Sequence, residues 1–331
     1  MRAPRRRARY RPAMLDFDDG VHLTGTSLWL DPRRVKPRAI VTHAHSDHVG
    51  RHHRWVVSPG TALLAIRRWK ARAVEVRRFG EPWTEDGVDV TLLPAGHILG
   101  SAMVLLERAG TRILYTGDFR LEPSATAEPC HPVAADVLVM ECTFGEPRYR
   151  FPRRESVLDQ LDQFIAEARR DGATPVMLAY SLGKAQEVAR LIGARGHDVV
   201  LVDEAHDMLL AYREAGVTFG RCARFDGTLG ERDVLIAPPT RSLAATLRQV
   251  RRPRTAFLSG WAMGGAPWRP SCDASFAISD HADFDELVRL VETVKPRQVF
   301  TLHGPDRFAS HLRERGWDAT PARHARQMTL L

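Results

Sequence analysis

Residues 42–48 read Thr-His-Ala-His-Ser-Asp-His and follow directly on the short apolar stretch Ala39, Ile40, Val41. Three imidazoles and a carboxylate are thus packed into six residues at what reads as a strand end. In extended backbone His43 and His45 lie two apart and project to the same side. Asp47 and His48 come next, on the turn, where they can face a second centre. A polar turn with solvated histidines is the plain alternative, but this density suits two adjacent pockets for divalent cations, zinc or manganese.

The same placement recurs along the chain. Residues 27–30 end at Asp31, 88–93 lead into Pro94-Ala95-Gly96-His97, and 136–140 end at Glu141. Residues 102–107 and 111–116, joined through Ala109-Gly110, read as a hairpin whose second arm ends at Gly117-Asp118. His281 and His303 also fall at strand ends or glycine-flanked turns. Side chains from several strand ends can converge on one rim, so these residues are candidates for one site. A buried, hydrogen-bonded histidine is the lesser alternative for His97 and His303, each taken singly. The pairs His52-His53 and His206-Asp207 read as solvated or incidental.

Beyond Phe144 the texture changes. Residues 155–170 carry helical spacing (Val157, Leu158, Leu161, Phe164, Ile165). Strands at 175–179, 199–202, 234–237 and 256–258 then alternate with helices near 183–194, 204–214 and 242–250. That alternation predicts a separate α/β unit with a mainly parallel sheet. Past Pro270 the pattern predicts strand 276–278, helix 284–294, strand 298–302 and a last helix near 307–315.

A chain of 331 residues, 44% hydrophobic, has room for two compact units or one large unit with an insertion. No apolar run reaches the roughly 18 residues that span a bilayer. The basic start lacks the apolar core of a secretion signal, and four scattered cysteines contain no C-x-x-C pair. Both observations predict a cytoplasmic protein with reduced thiols and no membrane partner. The net charge of +8 is concentrated: six arginines fall in the first eleven residues, leaving +2 for the rest. Local clusters (Arg148, Arg150, Arg153, Arg154; Arg241, Arg248, Arg251, Arg252, Arg254, Arg269) permit a phosphate-backbone partner without requiring one.

Taken together, His43-x-His45-x-Asp47-His48, the Gly96-His97-Ile98-Leu99-Gly100-Ser101 segment and Gly117-Asp118 resemble the metallo-β-lactamase fold. Glu141 in Glu141-Cys142-Thr143-Phe144-Gly145, His281 in Ser279-Asp280-His281-Ala282-Asp283, and His303 in Leu302-His303-Gly304 resemble motifs A, B and C of its β-CASP nuclease branch. The resemblance implies an αββα sandwich with an inserted β-CASP α/β domain. The expected division is a basic tail at 1–15, a metallo-β-lactamase domain at 16–147 and 270–331, and a β-CASP domain at 148–269. It further implies that His43, His45 and His97 hold one metal, Asp47, His48 and His303 the other, and that Asp118 bridges both. Asp31 would support the ligand loop rather than ligate.

Two such cations lower the pKa of water and offset the charge of a phosphoryl group. His281 is the candidate general acid, with Glu141 orienting its ring and favouring its charged form; an ordinary structural ion pair is the alternative. Ser181-Leu182-Gly183-Lys184 sits between a strand and a helix, where Ser181 and Lys184 could receive a phosphate. A plain helix cap with a surface lysine reads as well. Phe144, Tyr149, Phe151 and Tyr180 lie near the right segments for base stacking, although most aromatics are core.

The resemblance points to a two-metal phosphodiesterase acting on nucleic acid. Gly25-Thr26-Ser27-Leu28-Trp29-Leu30-Asp31, Asp280-His281-Ala282-Asp283 and the compact length are most similar to the bacterial DNA ligase-associated exonucleases. That likeness favours single-stranded DNA as substrate, in repair, with a ligase and a helicase as partners. His303 at motif C resembles the RNA-processing members instead, so a β-CASP ribonuclease is the alternative. A small-molecule hydrolase of the same fold, and a non-enzymatic scaffold, leave either the long Asp118–His303 gap or the full ligand set unexplained.

Overall fold

The computed structural model describes residues 15–264 and 270–322. The expected basic tail, Leu15 apart, lies outside the described residues, as does Arg269.

Two sheets face each other. One has six strands in chain order: Leu15–Asp16, Val21–Leu23, Trp29–Leu30, Ala39–Ile40, Trp55–Val57 and Val74–Val76. The other has seven, in the order Ala319–Pro321, Gln298–Leu302, Val137–Glu141, Thr111–Tyr115, Ala102–Arg108, Val88–Pro94 and Trp83–Glu85. Strand alternation explains the packing. Ala102, Val104 and Leu106 point inward with Val88, Val90 and Leu92 to meet Leu23, Leu30, Ile40 and Val56 of the first sheet. Met103 and Leu105 point outward, against helices Phe284–Val294 and Arg307–Glu314. Helix Pro59–Trp69 covers the first sheet through Ala62 and Ala65, which meet Val41, Trp55 and Val57. The result is helix, sheet, sheet, helix. Strands buried on both faces read as unbroken apolar runs, which is why they stand out in the sequence.

The hairpin turn at Ala109-Gly110 has both residues at positive φ, 49° and 75°. A two-residue turn of that hand matches the twist of its flanking strands. Helix Pro59–Trp69 is absent from the sequence reading, yet Ser58 accepts from Thr61 N as N-cap and Pro59 opens the first turn. Those are ordinary start signals.

A third sheet holds six parallel strands: Cys222–Arg224, Asp198–Leu201, Asp233–Ala237, Thr174–Leu178, Pro253–Leu258 and Ala274–Phe276. Helices Arg154–Arg170, Lys184–Ala194 and Asp203–Glu214 cover one face. The expected helix 242–250 is shortened to Leu243–Leu247, which contributes Leu243 and Leu247 to the other face. The strand expected at 276–278 sits instead at Ala274–Phe276, paired with Ala256–Leu258. The chain therefore leaves the third sheet after Phe276 rather than at Pro270. Main-chain pairing decides this, because Ala274 and Ser275 carry no pattern that separates strand from loop.

Parallel registers set Tyr115 beside Val139 and Glu141 beside Leu302, so three strand ends open on one rim. At that rim His303 has a φ of 51° and Gly304 presses against the Cys142 carbonyl, where a Cβ would collide with backbone. Gly304→Ala is expected to lower stability by about 2 kcal/mol or more through overpacking. Urea unfolding measures this, and a midpoint equal to the wild type would refute the tight approach.

Candidate metal centre

Asp31 organises the rim without facing its centre. It is buried, sits at a φ of 49°, and accepts four hydrogen bonds. These come from Thr42 N (2.7 Å), the Thr42 hydroxyl (2.6 Å), His48 Nδ1 (2.8 Å) and the Tyr115 hydroxyl (2.9 Å). A left-handed backbone at a non-glycine residue is tolerated where such a network overdetermines it. Gly117 lets the Asp118 turn approach Thr42, since a Cβ there would lie 2.7 Å from the Thr42 hydroxyl oxygen.

These bonds set the tautomers, because carbonyl and carboxylate oxygens only accept. His48 donates from Nδ1 to Asp31, so its Nε2 is the nitrogen turned to Asp118. The Thr42 hydroxyl donates to Asp31, so it accepts from His43 Nδ1 at 3.0 Å, and His43 Nε2 is left as a lone pair. His97 donates from Nδ1 to the Asp280 carbonyl (2.8 Å) and His45 from Nε2 to the Leu182 carbonyl (3.1 Å). The remaining nitrogens, His97 Nε2 and His45 Nδ1, face each other at 3.0 Å. Two lone pairs at that distance repel unless a cation lies between them.

Asp118 completes the convergence. Its carboxylate oxygens lie 3.4 Å from His43 Nε2 and 3.3 Å from His48 Nε2. His43, His45, His97 and Asp118 form one group of potential ligands, and Asp47, His48 and His303 a second, each with its ligand atoms within 4.8 Å of one another. His48 and His303 stack with ring centroids 5.0 Å apart. Three buried atoms here, His43 Nε2, His48 Nε2 and Asp47 Oδ1, have no hydrogen-bond partner. Burial and neighbouring imidazoles push His43 well down, His45 to about 4, and His97 and His303 down, so these four rings are neutral. Burial works against charge on Asp118, yet His48 and His281 hold its carboxyl well below the usual range. Burial also disfavours the His48 cation, but Asp118 and Asp31 overcome it and raise that ring well above its ordinary value. Neutral lone pairs and an ionised carboxylate around one space are the donor set of a divalent cation. The residues fit.

Beside the two groups, Glu141 accepts from His281 Nδ1 at 2.9 Å, and Glu141 also receives Phe119 N and Thr143 N. Burial opposes charge on His281, but Glu141 and Asp118 outweigh it and push its pKa up to about 10. Ring centroids of His281 and His97 are 4.5 Å apart. His281 is therefore charged at neutral pH, with Nε2 free of the Glu141 bond.

Several sequence expectations fall elsewhere. Lys184 is 1% exposed and its Nζ is committed to Asp280 Oδ1 at 2.7 Å, so it is not open to a phosphate. Gln186 accepts from Gly183 N (2.7 Å) and donates to the Ser181 carbonyl (2.9 Å), filling the loop's bonding from within. The Ser181 side chain is half-buried and outside both ligand groups. His52 is buried, held by Lys36 N and Gly50 N, not solvated. Phe144 and Tyr149 are buried in a ring cluster with Phe151 and Trp261. Residues the sequence reading gave no role here are Thr42, Tyr115 and the Leu182 and Asp280 carbonyls. Spacing could not reveal them, because they act through ordinary hydrogen bonds, which for Tyr115, Leu182 and Asp280 also cross long separations.

The His281–Glu141 pair carries a pH signature in the metal-free protein. A ring raised from 6.5 to about 10 on folding contributes stability in full below about pH 6.5 and loses it as pH rises through about 10. Wild type is expected to exceed Glu141→Gln in unfolding free energy most at about pH 6, with the gap closing towards pH 10. A gap that stays constant or widens in chelator-treated protein would rule the pairing out.

Residues 274–324 match the family model described as the Zn-dependent metallo-hydrolase RNA specificity domain. Over 314 residues the chain is 42% identical to a probable DNA ligase of Opitutus terrae, covering 93% of this chain and 31% of that protein. It is 30% identical over 287 residues to the 5′ exonuclease Apollo of Mus musculus, covering 78% of this chain and 49% of that protein. The chain thus spans less than half the length of either relative. A crystal structure of a protein of unknown function from Enterococcus faecalis V583 superposes with a TM-score of 0.57 at 15% identity, over 81% of this chain and 75% of that one, which speaks to fold alone. With helix-flanked facing sheets, an inserted parallel sheet and this kinship across most of its length, the chain belongs to the β-CASP branch of the metallo-β-lactamase fold.

Proposed function

We propose that the chain is a two-cation phosphodiesterase that removes nucleotides from single-stranded DNA. The observation that carries this reading is the pair of adjoining ligand groups with a charged, carboxylate-backed imidazole at their edge. On this reading His43, His45 and His97 hold one ion, Asp47, His48 and His303 the other, and Asp118 contributes to both. The division into a metallo-β-lactamase unit (16–147 with 270–331) and a β-CASP unit (148–269) is part of the same reading, with the seam moved past Phe276.

Zinc or manganese ions bound there would activate water and offset the charge on a phosphoryl group. The protein's own residues supply the rest. Asp31 holds Thr42 and His48, and through Thr42 it holds His43, so ring rotation costs hydrogen bonds already made. Glu141 fixes Nδ1 of His281 and leaves Nε2 to give its proton to the departing sugar oxygen. The rim is walled by buried side chains, which strengthens each charge interaction within it.

DNA is favoured by the relative named a probable DNA ligase, and removal of nucleotides from an end by the one named a 5′ exonuclease. The ligase kinship also supports association with a DNA ligase, and repair as the setting. A second reading, an RNA-processing nuclease, is supported by the RNA specificity model over 274–324 and by His303 at the rim.

The test is digestion of end-labelled DNA and RNA of identical sequence, side by side, with zinc and with manganese. Metal-dependent loss of nucleotides from DNA is expected, with RNA cut more slowly, and Asp47→Ala inactive. His281→Ala should lower kcat by roughly 10²–10⁴ while metal content stays at the wild-type level. Faster digestion of RNA would transfer the assignment to the second reading. No metal-dependent cleavage of either polymer would end the nuclease proposal.

A further inference from the structure

The segment Ser181-Leu182-Gly183-Lys184 opens helix Lys184–Ala194 of the third-sheet unit, yet it reaches the rim built by the other two sheets. Lys184 is almost fully buried and pairs with Asp280 at 2.7 Å. The Asp280 carbonyl accepts from His97 Nδ1 at 2.8 Å, and two residues before Lys184 the Leu182 carbonyl accepts from His45 Nε2 at 3.1 Å. One loop therefore fixes the ring orientation of two potential ligands.

Both ligands belong to the same group, with His43 and Asp118. The other group is held differently. His48 rests on Asp31, the Asp47 carbonyl accepts from Arg33 at 3.3 Å, and the His303 carbonyl accepts from the Thr143 hydroxyl at 3.2 Å. None of those supports comes from helix Lys184–Ala194. A second buried pair on the helix, Glu187 with Arg120 at 2.9 Å, docks it against the rim without touching the partner of a ligand. A buried ion pair contributes little net stability compared with apolar packing, because both charges lose their water. What it does supply is direction, since each charge accepts few arrangements of the other.

We propose that Lys184 is a positioning residue for one cation site only, acting through Asp280 on His97 and alongside Leu182 on His45. The inserted unit thereby holds His45 through Leu182 and His97 by way of Asp280, while His43, by way of Thr42 and Asp31, and the whole second group are supported from the sandwich. This rests on the two-cation reading above.

The test uses the full chain and zinc titrated against a chromophoric chelator, with ¹⁵N imidazole spectra of the metal-free protein. Lys184→Met should weaken one ion roughly 10–100-fold and leave the other within about twofold, the size seen when a ligand loses its outer partner. The His97 Nδ1–H signal should broaden or move with it. Lys184→Met leaves Asp280 charged and unpaired, so Lys184→Met/Asp280→Asn is made in parallel and should show the same selective loss in a well-folded protein. Glu187→Gln, which cuts the other buried pair of the same helix, should keep both affinities. Wild-type affinity for both ions in the double variant, equal weakening of both, or the same selective loss in Glu187→Gln would each overturn the proposal. If the wild type takes a single ion, the two-cation reading falls separately; the double variant must then weaken that ion, and unchanged affinity overturns this proposal as well.

Discussion

Lone pairs of three imidazoles, His43, His45 and His97, and an ionised Asp118 face one buried space. Each of these rings has spent its N–H on an outward acceptor, so its inward nitrogen can do nothing but accept. A buried acceptor without a donor costs free energy, and several of them aimed at each other cost more. Such a donor set is that of a divalent-cation site. Everything else at the rim follows from the need to hold these rings still while they repel.

Asp31 meets much of that need from one position. It binds His48 directly, His43 through the Thr42 hydroxyl, and the adjoining sheet through Tyr115. Its left-handed backbone is the local cost of turning a strand end into such a hub. His45 and His97 lie beyond its reach and take their acceptors from Leu182 and Asp280, on segments that flank the third sheet. The centre is thus built where three sheets meet, and the inserted unit belongs to its structure and does more than cover it.

Much of the architecture is legible in the chain because the strands are buried on both faces. Residues 102–107, 111–116, 136–140 and 298–302 announce themselves as apolar runs, and Asp118, Glu141 and His303 follow the last three, where polarity returns. The 42–48 cluster, His97, Asp118, Glu141, His281 and His303 were all visible on those grounds. Short edge strands such as Trp83–Glu85 and Ala319–Pro321 were not, since two or three half-buried residues carry no periodicity. Helix Pro59–Trp69 escapes that pattern although Ser58-Pro59 marks its start, because its buried face is mostly small or weakly apolar, with Gly60, Thr61, Ala62 and Ala65 beside Leu64.

Residue types and their order determined the chemistry: which side chains could ligate a hard or borderline cation, and that they stand at the ends of successive strands. Tertiary structure decided which of them share a centre and what stands behind each one. Lys184 shows the difference. By sequence it is a lysine at a helix start, open to a phosphate or to solvent; in the fold it is sealed against Asp280, ninety-six positions away. Hydrogen-bond direction and burial are properties of neighbours in space, and a linear pattern carries neither.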